Sequence, residues 1–180
     1  MKEVALELIK TGHAKPEQVE NDGITALIFA CEFGMTEVAL ELIKTGHAKP
    51  EQVDAYDLTA LILACRKVMK EVALELIKTG KSNPDHIDNL GYTALMLACK
   101  YCMIDVALEL IRTGKSNPNH IAKDGNTVLS WACEKGMKEV AYELVLIGTF
   151  TINDLMSLKP EWVPEELLIM NMVDVTEVDI

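Results

Sequence analysis

Five cysteines are the residues with the clearest capacity for chemistry. Four of them lie 34 residues apart, in a spacing that could form disulfides or hold a metal ion: Cys31, Cys65, Cys99 and Cys133. Equivalent positions in stacked helical units are separated by about 8–10 Å, which exceeds the roughly 4.4–6.8 Å between the Cα atoms of a disulfide. We therefore predict small, buried, reduced thiols. Cys99 and Cys102 form a C-x-x-C pair, but no second pair completes a zinc site.

The histidines and acidic residues do not form the groupings that catalysis requires. His13 and His47 occupy one position of a repeated loop, and His86 and His120 occupy another. None has the i, i+4 partner of a helical metal site, so we expect solvated loop residues. A glycine-rich phosphate loop and a Ser/His/Asp grouping are also missing from the sequence. We predict a protein that is not an enzyme and needs no cofactor and no metal.

Overall charge and hydropathy narrow the classes of partner. The chain has 180 residues, of which 17 are basic and 28 acidic, so its formal net charge is −11. A nucleic-acid binder needs a basic footprint, so DNA and RNA are not expected partners. No apolar run approaches the roughly 20 residues of a membrane span, and no signal peptide opens the chain. We expect a soluble, cytoplasmic protein.

A repeat of 34 residues organises most of the chain. The segments 2–12 and 70–80 are identical, and so are the segments 13–19 and 47–53. A glycine ends every copy, at Gly12, Gly46, Gly80, Gly114 and Gly148. We predict an array over residues 1–148, made of a half repeat at 1–12 and full units at 13–46, 47–80, 81–114 and 115–148. A C-terminal capping segment is predicted at 149–180.

Each unit has the pattern of two short helices and a long loop. Thr25 is typical of an N-cap, and the apolar spacing after it predicts a first helix that ends near Phe33. A second helix is predicted from about Thr36 to Thr45, with Gly46 in a left-handed position behind it. A first helix of only about 9 residues is too short for a tetratricopeptide repeat. Leucines of the second helix should be buried between units: Leu42, Leu76 and Leu110.

The unit resembles the ankyrin repeat. The resemblance rests on the residues Asn21–Leu27, Ala30 with Cys31, and Gly34 with Met35, in a pattern that recurs in register in the other units. It implies an all-α, helix-turn-helix solenoid with long inter-repeat loops and little or no strand. The 34-residue period looks like that of ankyrin arrays encoded by giant DNA viruses of protists, which implies a location in the host cytoplasm.

Three positions depart from the glycine pattern of the ankyrin repeat. Asp57 stands in place of the turn glycine, and Val68 and Cys102 replace the corner glycine. A left-handed backbone favours glycine. We therefore do not expect a regular β-turn hairpin in every unit, and we expect the Pro-Glu-Gln-Val segments to form a helical turn instead.

Positions that differ between the four copies are the candidate binding residues. The resemblance implies that they line a concave face that binds a partner protein: Phe33, Tyr56, Leu58, Arg66, Lys67, Leu90, Tyr92, Lys100, Tyr101, Asn21, Asp22, Glu32, Asn89, Lys123, Asp124, Asn126, Glu134 and Lys135. Aromatic side chains are favoured interface anchors, so we place Tyr56, Tyr92 and Tyr101 at the centre. Three basic residues around them predict an acidic or phosphorylated patch on the partner: Arg66, Lys67 and Lys100. The alternative is that unpacked positions drift after duplication.

The two ends of the chain carry further predictions. Met1 occupies the methionine position of the repeat, so the chain begins at a second helix that lacks its companion. Its uncovered apolar residues predict self-association. The tail should cap the last unit, with Trp162 as an anchor. The alternative is an adaptor, because residues 163–168 resemble the opening of an F-box and would recruit ubiquitin ligase machinery.

Overall fold

Helices arranged in two rows make up most of the structure. The computed structural model describes residues 2–148, 150, 152–165 and 167. Its helices are α1 Lys2–Lys10, α2 Ala26–Glu32, α3 Thr36–Lys44, α4 Ala60–Arg66, α5 Lys70–Lys78, α6 Ala94–Lys100, α7 Ile104–Arg112, α8 Val128–Glu134, α9 Lys138–Leu146 and α10 Ile152–Met156, followed by a 3-10 turn at Pro160–Trp162. Within the described residues there is no strand, and the β pairing consists of two isolated bridges, Val19 with Thr25 and Val53 with Thr59. The predicted all-α class is confirmed.

The first helix of every unit begins at a threonine cap. The side-chain oxygen of Thr25 accepts a hydrogen bond from the backbone N–H of Ile28 at 3.2 Å. The equivalent threonines of the other units accept the same bond at 3.1 to 3.3 Å. Each bond satisfies one of the N–H groups that a helix leaves unpaired at its start. The predicted cap is therefore confirmed, and it recurs in all four units.

The corner between the two helices of a unit keeps a left-handed residue even without glycine. Gly34 has a φ of 64°, and Val68 and Cys102 have φ values of 57° and 56°. The backbone N–H of Met69 donates to the carbonyl of Ala64 at 2.8 Å, which is the long bond of a Schellman turn. The corner therefore keeps its geometry without glycine, because the hydrogen bonds of the turn hold the backbone in place.

The turn at the end of each loop also keeps one geometry. We call these turns the tips, and they comprise residues 20–24, 54–58, 88–92 and 122–126. In each tip the backbone N–H of the first residue donates to the carbonyl of the fifth at 2.9 to 3.0 Å. Asp57 has a φ of 58°, and its turn stays closed. Among the described residues, bridge pairing beside a tip occurs in the first two full units only, which agrees with the expectation that not every unit forms a regular hairpin. The Pro-Glu-Gln-Val segments form one hydrogen-bonded turn, with Gln18 N–H donating to the Lys15 carbonyl at 3.1 Å, and do not continue into a helix.

The helices stack in order along one continuous core. The inner row consists of α2, α4, α6 and α8, and the outer row of α1, α3, α5, α7 and α9, each helix contacting the next in its row. The outer-row leucines are at most 1% exposed, as predicted: Leu42, Leu76 and Leu110. Because each helix pair covers its neighbours, burial of these leucines holds the units together.

The described part of the tail extends the same core. Leu155 of α10 and Leu167 are fully buried and belong to the cluster formed by the array. Tail residues therefore pack against the core of the array, and capping of the last unit by the tail stays a prediction. The side chain of Trp162, the predicted anchor of the cap, lies outside the described residues.

Candidate protein-binding surface

The tips and the inner helices form one face of the array, which we call the binding face. Backbone hydrogen bonds join neighbouring tips in pairs. The N–H of Ala55 donates to the carbonyl of Asp22 at 2.8 Å, and the N–H of Lys123 donates to the carbonyl of Leu90 at 3.3 Å. These bonds fix the first tip against the second and the third against the fourth.

Two loop histidines also bond to the tip of the preceding unit. The Nε2 atom of His86 lies 3.1 Å from the carbonyl oxygen of Asp57, and Nε2 of His120 lies 2.9 Å from that of Gly91. A carbonyl only accepts, so each Nε2 carries the proton and donates. The expectation of solvated histidines is therefore wrong for these two. The recurrence of these histidines 34 residues apart was the sequence signal for a shared structural role. Each ring bonds to a carbonyl 29 residues earlier, in the preceding unit.

An apolar cavity of about 430 Å³ lies on the binding face between the first and second full units. Two inner helices and two tips contribute its walls. Phe33 and Tyr56 line it and remain 65% and 62% exposed. The ring centroids of Phe29 and Phe33 are 4.5 Å apart. Large aromatic side chains exposed beside an apolar cavity are typical of interaction sites.

Sequence reasoning misses Phe29 as a cavity residue. Its repeat position is held by Leu63 and Leu97 in the next two units, and both are buried. Phe29 is 51% exposed, because in the described chain α2 has an inner neighbour, α4, on one side only. The replacement of leucine by an aromatic residue was the sequence signal that this position is not packed as it is in the next two units.

The three basic residues predicted at the centre of the site interact with other residues of the chain. Arg66 donates to the buried carboxylate of Asp88 at 2.7 Å. Lys67 lies 3.4 Å from a carboxylate oxygen of Glu32. Lys100 lies 4.3 Å from the ring centroid of Tyr92 and donates to its hydroxyl at 3.1 Å. These three cations already have partners, so they no longer argue for an acidic or phosphorylated patch on the bound protein.

Tyr92 is buried beneath the binding face and bonds to the next tip. It is 5% exposed, and its hydroxyl donates to a carboxylate oxygen of Asp124 in the next tip. This hydrogen bond lowers the pKa of the Asp124 carboxyl from its ordinary value. Burial, together with the bond to Asp124, raises the pKa of the Tyr92 hydroxyl. The placement of Tyr92 among the central anchors is therefore corrected, because its ring is packed and its polar end is taken.

The other predicted site residues differ in exposure. The exposed ones are Asn21, Asp22, Phe33, Tyr56, Lys67, Asn89, Leu90, Tyr101, Lys123, Asp124 and Lys135. The half-buried ones are Glu32, Leu58, Arg66, Lys100, Asn126 and Glu134. The exposed apolar side chains among them lie near the first three tips and inner helices, and the fourth unit contributes only polar and charged residues.

All five cysteines are free, and four are buried at the repeat position: Cys31, Cys65, Cys99 and Cys133. Burial raises the pKa of the Cys31 and Cys65 thiols to about 12 and that of Cys133 to about 11. The pKa of Cys99 is also raised by burial. Cys102 is exposed. The part of the chain that the structure describes holds no group of three or more potential metal ligands.

Alkylation should therefore distinguish one thiol from the other four. The thiolate is the reacting form, and the buried thiols stay protonated at mildly alkaline pH. Iodoacetamide is expected to modify Cys102 alone in the folded chain and all five cysteines after denaturation. Peptide mass spectrometry locates the label. Modification of Cys99 at the rate of Cys102 in the folded chain would contradict the burial described above.

A second apolar cavity, of about 460 Å³, opens between α1 and α2. Leu8, Phe29 and Leu42 are among the residues that line it. It provides a structural basis for the self-association predicted at the first helix, which stays a prediction.

Comparisons with known proteins identify the repeat. A family model described as ankyrin repeats in three copies matches residues 1–88 and again residues 69–154. No curated protein matches the chain. Among the described helices, none is long and apolar enough to cross a bilayer.

Proposed function

The chain belongs to the ankyrin repeat family, and we propose that it holds a partner protein on its binding face. Ankyrin repeats generally mediate interactions between proteins, and the family is typically not enzymatic. One observation carries the placement of the site. The apolar cavity between the first two full units keeps Phe33 and Tyr56 exposed at its edge. Burying such side chains against a partner contributes more binding free energy than most contacts of an interface.

The rigidity of the face supports the same proposal. Backbone bonds join the tips in pairs, and His86 and His120 each bond to the tip of the preceding unit. The inner helices beneath them are fixed by threonine caps and a buried core. A surface held in one conformation loses little conformational entropy on binding.

The tail is assigned to capping in this proposal. Leu167, which belongs to the F-box-like segment, is fully buried in the core of the array. A buried leucine is not available to a ligase subunit, so this observation favours capping over recruitment. The five free cysteines support a reducing compartment such as the cytoplasm. The resemblance to viral arrays stays a prediction.

Affinity purification with a double variant tests the proposal. Phe33→Ala with Tyr56→Ala removes the two exposed rings at the cavity, and Leu146→Ala removes a side chain of similar exposure from α9 in the outer row. Proteins captured by the tagged wild type from its native cells are expected to fall about tenfold or more with the double variant, as for interface anchors. The Leu146→Ala control should capture them as the wild type does.

Quantitative mass spectrometry measures the capture, and circular dichroism confirms that each variant stays folded. Equal capture by the folded double variant and the wild type would show that the partner does not use this cavity.

A further inference from the structure

We infer that the segment bound at the cavity between the first two full units carries a large apolar side chain with basic residues beside it. This inference rests on the proposed function and specifies the chemistry of the partner. It depends on two independent observations: the apolar walls of the cavity, and the unequal distribution of charge along the row of tips.

The walls of the cavity determine the central side chain of the partner. Ile24, Leu58, Phe29 and Phe33 line the cavity together with the ring of Tyr56. Its volume of about 430 Å³ gives room for a leucine or an aromatic ring. Glu32, Asp54 and Arg66 also line the cavity, but most of its walls are apolar. A large apolar side chain there would contact mainly apolar groups and would shield Phe33 and Tyr56 from water.

The number of unpaired negative charges on the tips decreases from the first full unit to the last. The first two tips carry two carboxylates each: Glu20, Asp22, Asp54 and Asp57. The third tip has only Asp88, which is neutralised by Arg66. In the fourth tip Lys123 offsets Asp124. Negative charge is therefore concentrated on the two tips that border the cavity.

These four carboxylates also lack cationic partners. Within the described residues, no basic side chain lies within ion-pair distance of Glu20, Asp22, Asp54 or Asp57. The two cations beside the cavity, Arg66 and Lys67, are paired with Asp88 and Glu32.

Asp54 is buried and accepts hydrogen bonds from the backbone N–H groups of Tyr56 and Leu58. An approaching segment therefore meets a mainly apolar opening with three exposed, unpaired carboxylates on the tips beside it: Glu20, Asp22 and Asp57. Charge complementarity across an interface favours the opposite sign, and juxtaposed like charges cost several kcal/mol. Asp22, Tyr56 and Asp57 are all exposed on the two joined tips, so a single short segment can reach them together. This geometry selects lysine or arginine beside the apolar anchor and disfavours an acidic or phosphorylated segment.

Selection from a random peptide library displayed on phage tests the inference with the full chain as bait. Enriched peptides are expected to share a large apolar residue next to lysine or arginine. The affinity of a synthesised peptide, measured by fluorescence polarisation, should fall about tenfold with Tyr56→Ala, as for an interface anchor. It should also weaken with added salt, because screening reduces exposed charge interactions.

Charge neutralisation provides the matched comparison. Asp22→Asn with Asp57→Asn removes two exposed carboxylates from the tips that border the cavity, and Glu71→Gln with Glu139→Gln removes two exposed carboxylates from the outer helices α5 and α9. The tip variant should lower the affinity severalfold, and the outer variant should leave it unchanged. Equal effects of the two variants would overturn the inference, because a general loss of negative charge would then explain the result.

The outcomes separate this inference from the proposed function. Enrichment of acidic peptides that still require Tyr56 would overturn the inference and leave the proposed function standing. Peptides that bind without any effect of Tyr56→Ala or Phe33→Ala would contradict both. Failure to enrich any peptide would also count against the inference, because the cavity would then not accept a short segment.

Discussion

Replacing Leu76 with alanine is expected to lower the free energy of unfolding by about 2–5 kcal/mol. Leu76 lies in α5, in the middle of the outer row, and its side chain is fully buried. Helices on both sides, α3 and α7, pack against α5. The substitution removes buried apolar surface and leaves a cavity that the surrounding helices only partly fill. It therefore weakens the contacts on both sides of the unit.

Leu8 is a control at the same position of the repeat. It precedes Leu76 by two repeat periods, but its side chain is 46% exposed in α1. Leu8→Ala removes the same atoms from a site that water already reaches, so the loss should stay below about 1.5 kcal/mol. Urea unfolding followed by circular dichroism measures both variants. Equal losses for Leu76→Ala and Leu8→Ala would show that burial between units does not decide the stability of the array.

Repetition made most of the fold predictable from the sequence. Thr25, the buried Leu42 and the closing Gly46 each recur in four copies, so separate occurrences of a weak local signal agree with one another. At positions that depart from the repeat pattern, the prediction used only the local backbone preference of the residue found there. Val68 and Asp57 are poor residues for a left-handed backbone, yet both adopt it. Hydrogen bonds within the turns and packing of neighbouring units outweigh the local preference there.

The candidate site was predictable in position but not in detail. Comparing the copies identifies which positions of a unit are not fixed by its own packing, and this locates the tips and the ends of the inner helices. The contacts that decide whether a side chain is free to bind a partner join different units. Arg66 pairs with Asp88 across 22 residues, and Tyr92 donates to Asp124 across 32 residues. A comparison that aligns each unit with the others cannot show such pairs, so buried and paired residues were predicted alongside exposed ones.

The second large effect on stability is expected at the glycines of the tips. Two of them occupy equivalent positions in neighbouring tips but have different surroundings. Gly91 and Gly125 have φ values of 85° and 83°. A Cβ atom on Gly91 would lie 2.9 Å from the backbone nitrogen of Lys123 and 3.3 Å from the Cα atom of Ala122. A Cβ atom on Gly125 would have no neighbour within 4 Å. Both substitutions to alanine therefore strain the backbone, but only one forces two tips apart.

Gly125→Ala is expected to cost about 1–2 kcal/mol, the penalty of a left-handed conformation for a residue with a side chain. Gly91→Ala should cost about 1–3 kcal/mol more, since a rigid backbone must shift to remove the overlap. That shift also breaks the hydrogen bond between Lys123 and Leu90 that joins the third and fourth tips. Urea unfolding measures the difference, and hydrogen exchange at the Lys123 amide reports the broken bond. Equal losses with unchanged exchange would mean that the tips can separate without cost, and the binding face would then not be held in one conformation.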